Sequence, residues 1–146
     1  MAVLTVRASA DNTTKTVIHA GKHEFIIDEP EFFGGEDLAP SPVEYLLASL
    51  AGALNAIGQY VAKELKMDLR GLEIRIEGDC SADRFFGKSW EERAGFREIR
   101  IRLSADCTAD EKTKELWKRN VLSRCPVLDN LRSPAEIKTD ISFASK

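Results

Sequence analysis

A chain of 146 residues has the length of one domain and can bury a core without disulfide staples. With 43% hydrophobic and 31% charged residues it is an ordinary globular sequence, and a net charge of −3 gives no basis for nucleic acid or an anionic membrane as partner. Three cysteines (Cys80, Cys107 and Cys125) are too sparse for a secreted disulfide framework, and MAVLTVRASADN lacks the pattern of a signal peptide, so a reducing cytoplasm is expected.

Residues 3–9, 14–20 and 23–28 read as short strands, separated by Ala10-Asp11-Asn12 and by Ala20-Gly21-Lys22, which are turn residues. Pro30 and Gly34-Gly35 end this meander. A helix follows with a marked start: Ser41 as N-cap, Pro42 as first residue and Glu44 completing an S-x-x-E capping box. It is expected to run to about Lys66. Leu46, Leu47, Leu50, Ala51, Ala53, Leu54 and Ile57 surround its first half, so protein must cover it on all sides, and a partner subunit is the simplest supply. Gly52 and Gly58 fit a close approach by another backbone. Glu44, Ser49, Asn55 and Gln59 argue against a membrane span.

Residues 71–79 alternate, with Leu72, Ile74 and Ile76 against Glu73, Arg75 and Glu77, and residues 97–103 do the same. These are expected to be half-buried antiparallel neighbours joined by a polar loop around residues 80–95. Thr108 to Glu111 forms a second capping box, opening an amphipathic helix through Leu116, Trp117 and Val121. Cys125-Pro126 starts a short helical turn, and Ile137, Ile141 and Phe143 mark a final strand. No repeat, low-complexity tract or linker divides the chain, so residues 1–146 form a single domain of the α+β class.

Cys125 is the best candidate nucleophile. With Pro126 at a first helical position, its sulfur sits beside free backbone N–H groups, and Arg124 adds a nearby charge; both lower a thiol pKa. The competing reading is a small buried residue that fills space. Cys80 and Cys107 fall at strand ends, where such a role is favoured. His19 and His23 sit on opposite arms of a hairpin with no third ligand, so no metal site is expected. Gly87-Lys88-Ser89 fails as a phosphate loop because the earlier glycine is replaced by Ala82. Phe85, Phe86, Trp90 and Phe96 either anchor the loop or form a lid over an apolar pocket.

The segment GGEDLAPSPVEYLLASLAGALN (Gly34–Asn55), with SRCPVLDNL (Ser123–Leu131), resembles the two-motif signature of the OsmC/Ohr family. The resemblance implies an α+β fold in which antiparallel sheets wrap a long central helix within an intertwined homodimer. It implies reactive sites at the dimer interface, between that helix and the turn carrying a second cysteine. In peroxide-reducing members the helix cysteine attacks the O–O bond and becomes a sulfenic acid. The second thiol then condenses with it, and an external reductant resets the disulfide. Ala53 occupies the place of the helix cysteine and Cys125 that of the second.

In the same branch a glutamate directly after the proline helps orient an arginine beside the reactive cysteine. Here that place is Val43 and the glutamate is Glu44, one residue later; only Arg7, with Lys15 and Lys22, is available for the arginine. The resemblance thus points to Cys125 and Glu44 as catalytic residues and to Ala53, Leu54 and Arg124 as lining a binding site, without cofactor or metal. The expected partners are a second copy of the chain and a small apolar hydroperoxide or other small hydrophobic ligand. Three functions are open: a thiol-dependent hydroperoxide reductase working with one cysteine, a non-catalytic binding protein for a small hydrophobic or sulfur-containing ligand, and an engineered cysteine-to-alanine variant of a peroxidase.

Overall fold

The computed structural model describes residues 2–143. The chain is α+β, in the order β1 (Val6–Ser9), β2 (Thr16–Ala20), β3 (His23–Ile27), a 3₁₀ turn (Glu31–Phe33), α1 (Pro42–Glu64), β4 (Asp68–Asp79), β5 (Glu98–Thr108), α2 (Glu111–Arg124) and α3 (Pro126–Arg132). Its residues group into two compact units, one up to Ala51 plus Arg75–Arg102, the other Gly52–Ile74 plus the chain from Leu103. The boundaries fall inside α1, β4 and β5.

In the first unit β1, β2 and β3 form an antiparallel meander, with Val6 opposite Ala20 and Thr16 opposite Ile27. Gly21, at φ +60°, makes the tight turn between β2 and β3 that only glycine adopts without strain. Asp28, 1% exposed, organises the next loop. Its carboxylate accepts from Thr14 Oγ1 (2.8 Å) and from the backbone N–H groups of Glu29 (2.8 Å), Glu36 (3.0 Å) and Leu38 (3.3 Å). A side chain at Gly35 would put its Cβ 1.7 Å from the Glu29 carbonyl oxygen, so this closure requires glycine.

The loop displays Phe32 and Phe33, which stack with Phe85 and Phe86 at centroid distances of 5.1–5.8 Å. Phe96 lies against Gly78 of β4, where a Cβ would come within 2.5 Å of the ring. Trp90 is exposed with Arg84 stacked over it.

Helix α1 begins as its capping box dictates. Ser41 N–H and Oγ both donate to Glu44 Oε2 (2.8 and 2.7 Å), and Glu44 N–H donates back to Ser41 Oγ (3.4 Å). The helix ends two residues before the expected Lys66. Lys66 takes φ +52°, and the Lys66 and Met67 N–H groups reach back to the Lys63 and Ala62 carbonyls (3.2 and 2.9 Å). That is a Schellman closure with lysine in the place glycine favours.

The core of the second unit is Leu54, Val61, Ala62, Met67, Trp117, Val121, Cys125 and Leu128. Each large side chain there contributes about 1.5–3 kcal/mol by leaving water. Trp117 Nε1 donates to the Gly58 carbonyl at 2.9 Å, and a Cβ at Gly58 would lie 3.3 Å from the same ring. The close approach expected at Gly58 is therefore made by an indole, while Gly52 faces open space within the chain.

Strands β4 and β5 pair into a two-stranded sheet. Gly71 lies beside Asp106 near one end, and Arg97 N–H donates to the Asp79 carbonyl (2.7 Å) at the other, so they run antiparallel as expected. Both are longer than their alternating cores.

Two further expectations are corrected. The cap of α2 is Asp110, whose carboxylate accepts from Thr113 N–H (2.7 Å), because β5 continues through Thr108 and the helix begins only at Glu111. No strand forms at Ile137, Ile141 and Phe143, which are 85%, 73% and 90% exposed. A strand needs a neighbour to satisfy its backbone, and no neighbour is paired with this segment among the described residues.

Candidate functional site

Cys125 is the hinge between α2 and α3, the C-cap of one and the N-cap of the other. Its φ and ψ of −75° and 113° are extended, which turns the chain sharply, and Pro126 then begins α3 with a preset φ. The Cys125 carbonyl accepts from Asp129 N–H at 3.0 Å, but its side chain makes no capping bond. Cys125 has no exposed surface; it packs with the core residues of the second unit. Cys80 is exposed and Cys107 half-buried, and all three thiols are free.

Helix α1 supplies the facing residues. Positions 53, 57, 60 and 64 are spaced by four, three and four, so Ala53, Ile57, Tyr60 and Glu64 share one face. Arg124, directly before Cys125, meets that face at its far end. Its Nη1 and Nη2 donate to Glu64 Oε2 and Oε1 (2.5 and 3.3 Å), and its guanidinium lies 5.4 Å from the Tyr60 ring centroid. The bond from Arg124, with its charge, holds the Glu64 carboxyl below its ordinary range, and the bond to Glu64 pushes Arg124 further up. These contacts hold Arg124 at the far end of that face; Ala53 lies three turns, about 16 Å, upstream of Glu64 along the axis.

The other site residues fall as follows. Leu54 is fully buried and serves the core, and Ala53 is half-buried beside it. Glu44 belongs to the first unit, and its carboxylate is engaged by Ser41, whose bonds draw its pKa down. His19 and His23 lie on opposite arms of the β2–β3 hairpin, with His19 Nδ1 3.4 Å from Glu24. No group of three metal-ligating side chains occurs among the described residues. A surface concavity of about 370 Å³, lined by Lys112, Glu115, Leu116 and Arg119, contains none of the candidate residues. Sequence reasoning missed Tyr60 and Glu64. Their i, i+4 spacing at a helix end was visible, but nothing along the chain points to an arginine sixty residues away.

The chain is thus a small α+β domain with a capped apolar helix and a free, buried thiol at the elbow of two later helices. The sequence pattern described as OsmC-like protein matches residues 34–140, and the chain belongs to that family. No curated protein sequence matches it. Among solved structures it is similar to an OsmC-like protein from Mycoplasma pneumoniae (TM-score 0.77, 17% identity, 91% of this chain and 89% of that one). It is also similar to an organic hydroperoxide resistance protein OsmC from Legionella pneumophila, described as a predicted redox protein (TM-score 0.63, 19% identity, 91% of each chain). A third is an organic hydroperoxide resistance protein from Elizabethkingia anophelis (TM-score 0.65, 15% identity, 92% of this chain and 91% of that one).

Proposed function

We propose that this chain is an OsmC-like thiol protein related to the organic hydroperoxide reductases, with Cys125 as its reactive group and Ala53 in the position of the helix cysteine. The observation that carries this reading is Cys125 as N-cap of α3, next to an arginine held on α1 by Glu64 and Tyr60. An alanine supplies no sulfur, so the two-thiol cycle cannot run. Cys125 acts alone: its thiolate attacks the distal peroxide oxygen, the O–O bond breaks, and the alcohol leaves with a proton. The resulting sulfenic acid is reduced by two equivalents of a small thiol, giving water, a small disulfide and the free Cys125.

Leu54 and Ala53 line the apolar side of the site, and Glu44 holds the start of the helix that carries them. The protein works in a reducing cytoplasm as a homodimer. Helix α1 supports the dimer, because Val43 and Leu46 remain 42% and 40% exposed on an otherwise apolar helix.

The test treats the reduced protein with cumene hydroperoxide and follows each cysteine by mass spectrometry with a sulfenic-acid trap. Oxidation at Cys125 faster than at Cys80 and Cys107 is the expected result. Equal or slower reaction at Cys125 sinks the reading. It leaves the second function, a binding protein for a small hydrophobic or sulfur-containing ligand. Retention of one small molecule per subunit or dimer in native mass spectrometry distinguishes that case.

A further inference from the structure

We propose that Glu64 and Tyr60 are positioning residues for Cys125, acting through Arg124 as a clamp that controls access to the thiol. The inference rests on the reading of Cys125 as the reactive group. Cys125 has no exposed surface, so no peroxide or other reagent reaches it while the α2–α3 elbow is seated. Something must let the elbow lift, and the residue that ends α2 carries the most specific polar contact there.

Arg124 donates from both terminal nitrogens to both Glu64 oxygens, a fork that fixes direction as well as distance. Tyr60, one turn earlier on α1, covers the guanidinium face at 5.4 Å. Because the next residue is Cys125, the geometry of this fork sets where the hinge begins. The pair is also weak enough to open. Glu64 and Arg124 side chains are 42% and 36% exposed, so water and salt compete for the contact. A buried ion pair would lock the thiol; an exposed one gates it.

The alternative is that this is a surface ion pair with no bearing on Cys125. Iodoacetamide labelling of the full-length native protein, resolved by cysteine in the mass spectrometer, separates the two, with exposed Cys80 as internal reference. Glu64→Gln is expected to raise the Cys125 labelling rate about threefold, the scale a partly exposed pair supports, with Cys80 unchanged. Raising the salt concentration should accelerate Cys125 labelling in the original protein and have little effect in Glu64→Gln. Arg124→Lys should behave like Glu64→Gln, since an ammonium lacks the planar fork.

An unchanged Cys125 rate in Glu64→Gln overturns the proposal. So does acceleration of Cys107 in equal proportion, which reports general loosening. Thermal melting of each variant identifies one that is merely unstable, and Tyr60→Phe, which keeps the ring, should then retain the original rate. The readout is alkylation, so clamp-dependent labelling without peroxide oxidation would refute the proposed chemistry and leave the clamp standing.

Discussion

At the scale of single residues the question is what Ala53 and Cys125 are to each other. They belong to one compact unit, in which Arg124 meets α1 at Tyr60 and Glu64, at the far end from Ala53. If the proposed site is built as in the two-thiol members, Ala53→Cys is expected to form an intrachain disulfide with Cys125 under mild oxidation, which requires Cα atoms within about 7 Å. Peptide mapping under non-reducing conditions reads the result. A thiol still free at position 53 of the variant, after full oxidation of exposed Cys80, would show that the two positions do not meet. The same variant should react with organic hydroperoxide faster than the original chain, because a second sulfur restores the condensation step. Glu44 illustrates the opposite outcome: its carboxylate is engaged by Ser41, so its visible work is capping.

At the scale of elements, α1 is the part on which everything else is set. Its start is written locally by Ser41, Pro42 and Glu44, and its middle is shaped by Gly58. Alanine is the better helix former by about 1 kcal/mol, yet a Cβ at position 58 would press on Trp117 at 3.3 Å and Leu72 at 3.1 Å. The leucine tip can move, but the indole is buried and pinned by its own bond to the Gly58 carbonyl. Overpacking of this kind costs about 1–3 kcal/mol, so Gly58→Ala is expected to be destabilising by about 1 kcal/mol net, measured by urea denaturation. A stabilised variant would mean that Trp117 can shift. The other end of α1 carries a reserve: Lys66→Gly relieves a left-handed lysine and should raise stability by about 0.5–1 kcal/mol in the same measurement.

At the scale of the whole molecule, carboxylates decide the response to pH. Glu44, Glu64, Glu77, Asp79, Asp106 and Asp110 titrate below their ordinary values, chiefly because each accepts a hydrogen bond in the fold. In Asp28 burial works the other way and its four bonds outweigh it. A depressed folded pKa gives stability that is complete above the unfolded value and lost as pH falls through the folded one. Melting temperature should thus be level above about pH 5 and drop below about pH 4. Glu29 has the reverse sign: burial, then the charges of Asp28 and Glu44, raise its pKa, so it opposes folding at neutral pH. Glu29→Gln is expected to raise the melting temperature at pH 7 and to change little at pH 3, where both side chains are neutral. The proposed homodimer predicts a two-subunit species by sedimentation at micromolar concentration. A monomer there would leave the exposed apolar side of α1 without the cover proposed for it.

The order of elements, the α+β class, the turn between β2 and β3 and the start of α1 were legible in the sequence, because periodicity, turn residues and caps act within a few residues; β1 and β2 begin later than expected, at Val6 and Thr16. The position of Cys125 at a helix start was legible for the same reason, through Pro126. What lies around these elements was not. The cap of α2 passed from Thr108 to Asp110 because pairing with β4 keeps Thr108 in the strand. The final strand failed because strand formation depends on a neighbour and not on alternation alone. Above all, the tie from Arg124 to Glu64 and Tyr60, and the complete burial of Cys125, are long-range contacts that no local pattern encodes. Local chemistry put Cys125 at a helix start; tertiary packing decided that it is buried there.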